Sequence, residues 1–335
     1  MADQITMLAD RLLAGKLEPV PRYRLLRDIY LLPEHHPDMI DAYEQAMQSR
    51  LIRELVQSQH DDGSFGRFYS RNKQVRQASR TTETALIRAV SMGMKPDHPM
   101  LRKMKSYMEA ILRDEITWPD RPDPTLDWPL SIKLVTAARL RQLDPDHPLA
   151  MKEAMQAKEL IQASFAEGSF CELTYNEIYE DLFGVPPVYG SRMLFSSYTL
   201  LIVQGLLPYH LEELITRHII ENCRGIYLVN NRSLKYTPLI FDSRESLRYV
   251  RALELLSHYP SSADLLIHAI DWLWEQQNNN GLWDFGPLGR DGLVLPLSDS
   301  WRQGQRPVDC TVMLLSLLIR LKRTCDLRDK ICHNL

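Results

Sequence analysis

The segment Ile270–Gly286 reads IDWLWEQQNNNGLWDFG. An apolar helical run ends in Gln277, three asparagines, Gly281 and Trp283. Glycine ends helices in the left-handed conformation, and an amide side chain can bond backbone groups orphaned at a helix end. An aromatic two residues later can fold back over the junction. A single copy would be an ordinary helix stop. The question is whether the chain repeats it.

It does. After a helical pattern over 38–59 the chain reads QHDDGSF, with Gln59, Gly63 and Phe65 at the same spacing. SFAEGSF keeps Gly168 and Phe170 but has Ser164 in the glutamine place, NCRGIY keeps Gly225 and Tyr227, and EITWP keeps Trp118. Between these joints, apolar residues recur at helical spacing and period-two alternation is scarce, so the reading is all-α.

Two kinds of helix alternate. Amphipathic segments near 38–59, 97–114, 147–163, 209–222 and 262–277 carry a charged outer face. More apolar segments near 20–32, 81–94, 127–142, 192–206, 243–258 and 307–322 read as buried between other helices. Short Pro-rich turns such as PEHHPD, KPDHP and DPDHP enter the amphipathic helices, where proline stops one helix and Asp, His or Ser caps the next. Longer loops near 60–80, 115–126, 164–191, 223–241 and 278–306 leave them. With the N-terminal segment 3–14 as a sixth outer helix, the order fits a helical-pair array.

The Gln-x-x-x-Gly-x-Trp/Phe unit resembles the QW repeat of squalene and oxidosqualene cyclases, and related repeats of protein prenyltransferase β-subunits. VPRYRLLRDIYLLP and LVQSQHDDGSFG also look like bacterial proteins described as prenyltransferase- or squalene-cyclase-like. At motif level only the joints match. The resemblance implies an (α/α)6 barrel, a toroid of six helical hairpins with an inner ring of six parallel helices, spanning 1–335 as a single domain. It also implies a small, isoprenoid-like ligand in the central cavity.

The family chemistry does not carry over. The Asp-x-Asp-Asp acid motif and the Asp-Asp-x-x-Asp magnesium motif are absent from the sequence. Asp309 and Cys310 are adjacent, whereas the prenyltransferase zinc pair is Asp-x-Cys. Neighbouring helix positions diverge by about 100°, so no metal site is expected. No cofactor motif appears either. The remaining alternatives are a carbohydrate-active toroid, with two carboxylates across a groove, and a scaffold without chemistry.

In such a toroid the inner N-termini gather at one mouth, whose summed dipoles favour anions. Catalytic candidates there are Glu83, Asp127, Asp242, Glu245 and Asp309. Ligand-binding candidates are Trp128, Tyr189, Arg192, Tyr198, Arg244, Arg248, Trp301 and Arg302, with Arg80 and Thr311 nearby. Each has a plainer reading. Capping explains Asp127, Asp242 and Asp309, the helix dipole suits Glu83 and Glu245, the arginines pair with acids, and Trp301 plugs one end. Arg22, Arg24, Arg27 and Asp28 read as a salt-bridged face.

With 335 residues, 44% hydrophobic, the chain can bury a large core. Forty Lys and Arg against 43 Asp and Glu leave a net charge of −3, which argues against a nucleic-acid surface. Five scattered cysteines read as free thiols, no run reaches the ~20 apolar residues of a membrane span, and no signal peptide is seen. The expected setting is cytoplasmic, with a small-molecule ligand in the barrel mouth as partner.

Overall fold

The computed structural model describes residues 2–69, 81–124, 126–188, 190–223 and 225–332, with side chains for all of these but Ala2, Gln303 and residues 330–332. Among the described residues the protein is all-helical, with 14 α-helices and no strand beyond isolated bridging pairs. They are α1 (Ala2–Leu13), α2 (Pro19–Asp28), α3 (Pro37–Met47), α4 (Arg50–Gln57), α5 (Thr82–Ser91), α6 (Pro99–Leu112) and α7 (Trp128–Leu143). There follow α8 (Pro148–Ser164), α9 (Glu172–Phe183), α10 (Ser197–Val203), α11 (Tyr209–Glu221), α12 (Arg244–Leu256), α13 (Ile267–Glu275) and α14 (Arg306–Cys332). No helix of the described chain is long and apolar enough to cross a membrane.

The Pro-rich turns act as the sequence requires. Pro37, Pro99 and Pro148 each open a helix, where a missing N–H costs nothing. His36 Nδ1 accepts the Asp38 N–H and His98 Nδ1 accepts the Met100 N–H, both at 3.2 Å. His147 stands at the same place before α8, but its Nε2 faces Glu109 Oε1 at 3.0 Å instead of capping.

Contacts group the chain into two compact units. The first comprises Met1–Gln59, Thr84–Lys95 and Thr237–Leu335. Within it α14 packs against α1 and α2, and α2 against α3. Asp28 is the polar tie: Arg24 Nε and Arg27 Nε each donate to it at 2.6 Å, and the Ser316 hydroxyl of α14 at 2.7 Å. The salt-bridged face expected around Asp28 is therefore present. Arg22 reaches Asp41 at 3.4 Å instead.

The second unit comprises His60–Glu83 and Pro96–Tyr236. Here α7 packs against α6, α8 and α10, and α8 carries α9. Every residue of α10 is buried. Its last carbonyls, which have no partner within the helix, are met by α7: Arg141 donates to the oxygens of Ile202 and Gln204.

The joints have a common hydrogen-bond pattern. Gly63 N–H donates to the His60 carbonyl at 3.0 Å, and His60 N–H to that of Ser64 at 2.9 Å. Gly281 N–H donates to Asn278 at 2.7 Å, and Asn278 N–H to Leu282 at 2.8 Å. Both glycines have positive φ, +88° and +64°. Gln277 Nε2 bonds the Gly281 carbonyl at 3.2 Å. Trp283, which follows a polar run, is completely buried, as is Phe65. Its indole N–H donates to the Leu273 carbonyl at 2.5 Å and pins the ring to α13.

Several boundaries differ from the sequence reading. The segment 38–59 breaks at Gln48 and Ser49 into α3 and α4. Segment 262–277 begins with two 3-10 turns, and 192–206 is a 3-10 turn followed by the short α10. The last helix runs ten residues past 322. The stretch 164–191, read as loop, contains α9, because Tyr175, Tyr179 and Phe183 at four-residue spacing form one aromatic face.

Candidate functional site

A pocket of the second unit opens between α7, α8 and α9, closed by Pro187, Val188, residues of 190–194, Thr199 of α10 and Tyr227. Asp127 stands at the N-cap of α7 and accepts the Leu130 N–H at 3.4 Å. One turn on, Leu130, Ser131 and Leu134 face the pocket; α8 contributes Glu153, Gln156, Ala157 and Leu160. Helix α9 supplies Tyr175, Tyr179 and Phe183, whose rings follow one another at 5.7 and 4.7 Å. Left-handed Gly184 stops the helix there. Glu172 fixes the α9 entry to the 190–194 segment by accepting the Ser191 N–H at 3.1 Å and its hydroxyl at 2.7 Å.

The cavity is about 80 Å³, room for a few waters or a compact organic group. Burial pushes the Glu153 carboxyl up; Lys133 and Lys152 oppose that shift and Asp114 adds to it. Burial, with the Asp127 charge beside it, also raises the Tyr179 phenol, so this hydroxyl stays protonated at neutral pH. The pocket thus combines aliphatic and aromatic walls with two carboxylates, Asp127 and Glu153, and the exposed Arg192.

Of the residues picked from sequence, Asp127 and Arg192 line this pocket. Tyr189 and Arg80 lie outside the described residues. Trp128, half-buried, packs edge-on against Trp118 at 5.5 Å. Glu83 and Tyr198 meet in a separate buried cluster of the same unit. Glu83 Oε1 accepts the Tyr198 hydroxyl at 2.7 Å and Arg139 Nη2 and Nε at 2.8 and 3.1 Å. The guanidinium also lies over the Tyr198 ring at 5.3 Å. All three side chains are buried.

In the first unit, Asp242, Arg244 and Arg248 are exposed and Glu245 is half-buried at the start of α12. Ser243 is the N-cap there, accepting the Ser246 N–H at 3.1 Å, so Asp242 stands beside the cap. Trp301 is buried and Arg302 exposed. Asp309 does not cap α14, which begins at Arg306. Its Oδ2 accepts the Leu297 and Ser298 N–H groups, both at 2.7 Å, and its Oδ1 the Ser298 hydroxyl. Burial still raises this carboxyl to about 6. His258 Nε2 lies 3.2 Å from Arg320 Nη1.

Sequence reasoning missed Glu153, Tyr175 and Tyr179. Glu153 sits on a helix read as an outer, solvated one, where an acid carries no signal. The aromatic spacing of α9 was the available clue. No family model matches the chain, and neither the curated proteins nor the solved structures contain a significant match to it.

Proposed function

We propose that this chain is a terpenoid-cyclase- or prenyltransferase-like α/α protein that binds a small, largely apolar molecule, isoprenoid in character, in the pocket under α9. The toroid of six hairpins belongs to this proposal. Its supports are the alternation of buried and amphipathic helices and the joint geometry repeated at Gly63 and Gly281. The observation that carries the ligand reading is the pocket wall, where leucines of α7 and α8 face the Tyr175–Tyr179–Phe183 stripe. Such a concave, mostly apolar surface with few polar groups is what small-molecule sites share. In this reading the ligand lies between α7, an inner helix of the proposed toroid, and the outer α8.

Calorimetric titration with farnesol tests this. Binding to the wild type and its loss in Leu134→Trp, which fills the cavity, is the expected result. Unchanged binding in a folded Leu134→Trp variant would remove the pocket from the proposal.

One observation favours a second reading, a carbohydrate-active enzyme. Asp127 and Glu153 line one pocket, and burial raises Glu153 in the direction needed by a general acid. Release of reducing ends from a polysaccharide panel, abolished by Glu153→Gln, would select it over the binding function. The aliphatic walls weigh against a sugar.

A further inference from the structure

The pocket contains carboxylates that the protein itself leaves poorly matched. Among the described residues Glu153 forms neither a hydrogen bond nor an ion pair. The nearby Lys133 is turned to Asp114 at 3.1 Å, and Lys152 is exposed. Among the described residues the Asp127 carboxylate accepts only the long bond from the Leu130 N–H. Among the described residues the one basic side chain in the wall is Arg192, which is exposed and has interactions of its own. A carboxylate taken from water without a partner is costly. A ligand carrying the complementary charge removes that cost.

The aromatic wall has the same preference. Tyr175, Tyr179 and Phe183 of α9 and Tyr227 from a separate segment bring four aromatic rings to the lining of one cavity. Ring faces attract cations within about 6 Å, and best where water is excluded. An anion meets the opposite situation. The N-terminus of α7, where a helix dipole would hold it, already carries the Asp127 carboxylate.

We infer that the pocket selects a small organic cation: an amine or quaternary ammonium group on an apolar body, the charge held between Asp127, Glu153 and the tyrosine faces. This rests on the ligand-pocket reading proposed above and adds the charge of the ligand to it. The apolar body occupies the leucine wall of α7 and α8.

Three compact probes with one ring and different charge decide the matter: benzyltrimethylammonium, benzyl alcohol and phenylmethanesulfonate, each titrated calorimetrically into the full chain. The expected order is ammonium tightest, by about tenfold over the alcohol, with the sulfonate weakest. Glu153→Gln and Asp127→Asn each reduce the advantage of the ammonium over the alcohol. The inference is overturned if the sulfonate or the alcohol binds as tightly as the ammonium. It is equally overturned if the preference survives both substitutions. Binding of none of the three, in a protein shown folded by its thermal transition, would instead remove the ligand-pocket reading, and the charge preference with it.

Discussion

The backbone N–H of Trp283 donates to the hydroxyl of Thr311, 28 residues away in the first turns of α14, at 3.1 Å. Phe65 and Thr82 repeat the relationship at 3.0 Å at the start of α5. In each joint the aromatic that turns back is stitched to the next buried helix. Both N–H groups are buried, so each needs its acceptor.

Thr311→Val and Thr82→Val keep the side-chain shape and remove that acceptor. Each is expected to destabilise its unit by about 1–3 kcal/mol, the cost of an unsatisfied buried donor. Thr→Ser at either position restores most of the loss. Urea denaturation of the four variants measures this, and two neutral valine variants would show that the stitches carry no stability.

The two joint glycines differ in what surrounds them. A Cβ on Gly63 would collide with the Lys103 carbonyl oxygen and lie 2.7 Å from its carbon, both backbone atoms. A Cβ on Gly281 would meet only the end of the Arg11 side chain, 3.3 Å away. Gly281→Ala should therefore cost about 1–2 kcal/mol, the left-handed backbone penalty alone. Gly63→Ala should exceed it clearly, because backbone must move. Equal urea midpoints for the two variants would contradict the distinction.

Asp28 provides the pH dependence. Burial opposes its ionisation, but Arg24 and Arg27, with the Ser316 hydroxyl, outweigh that and hold the carboxyl well below its ordinary 3.8. A group depressed in the folded state stabilises above its unfolded pKa and loses that contribution as pH falls. Asp28→Asn should cost about 3 kcal/mol at pH 7, since it takes the counter-charge from the buried Arg24 and from the half-buried Arg27. The gap to the wild type should shrink below pH about 4, by about 1.4 kcal/mol per pH unit. Denaturation curves at pH 7 and pH 3 check this; an identical gap at both would exclude it.

The parts of the fold visible in the sequence were those written in local rules. His36-Pro37 and His98-Pro99 announce helix starts because proline and a capping imidazole act within one turn. Gly63 and Gly281 announce joints because positive φ selects glycine. The site was less visible because it depends on distant partners. Asp309 looks like a helix cap in sequence, yet its carboxylate is used by Leu297 and Ser298. Asp120 drew no notice, although it accepts the N–H groups of Phe68 and Tyr69 at 2.7 and 3.0 Å. Glu83 and Tyr198 were both singled out, but only the structure places them at one oxygen.

That meeting gives the last prediction. Glu83 is a buried acid whose Oε1 takes Arg139 and Tyr198 together. Its charge balances a guanidinium whose side chain is only 8% exposed. Burial and the Glu83 charge push the Tyr198 phenol well above its ordinary value, so it donates throughout the accessible pH range. Tyr198→Phe should cost about 1.5–3 kcal/mol, the worth of a hydrogen bond to a charged group. Glu83→Gln should cost more, about 3–5 kcal/mol, because it leaves Arg139 buried without its counter-charge. The double variant should cost less than the sum, since the tyrosine no longer has a charged acceptor to lose. A double-mutant cycle in urea measures the coupling; strict additivity would mean that the tyrosine and the acid do not act on each other.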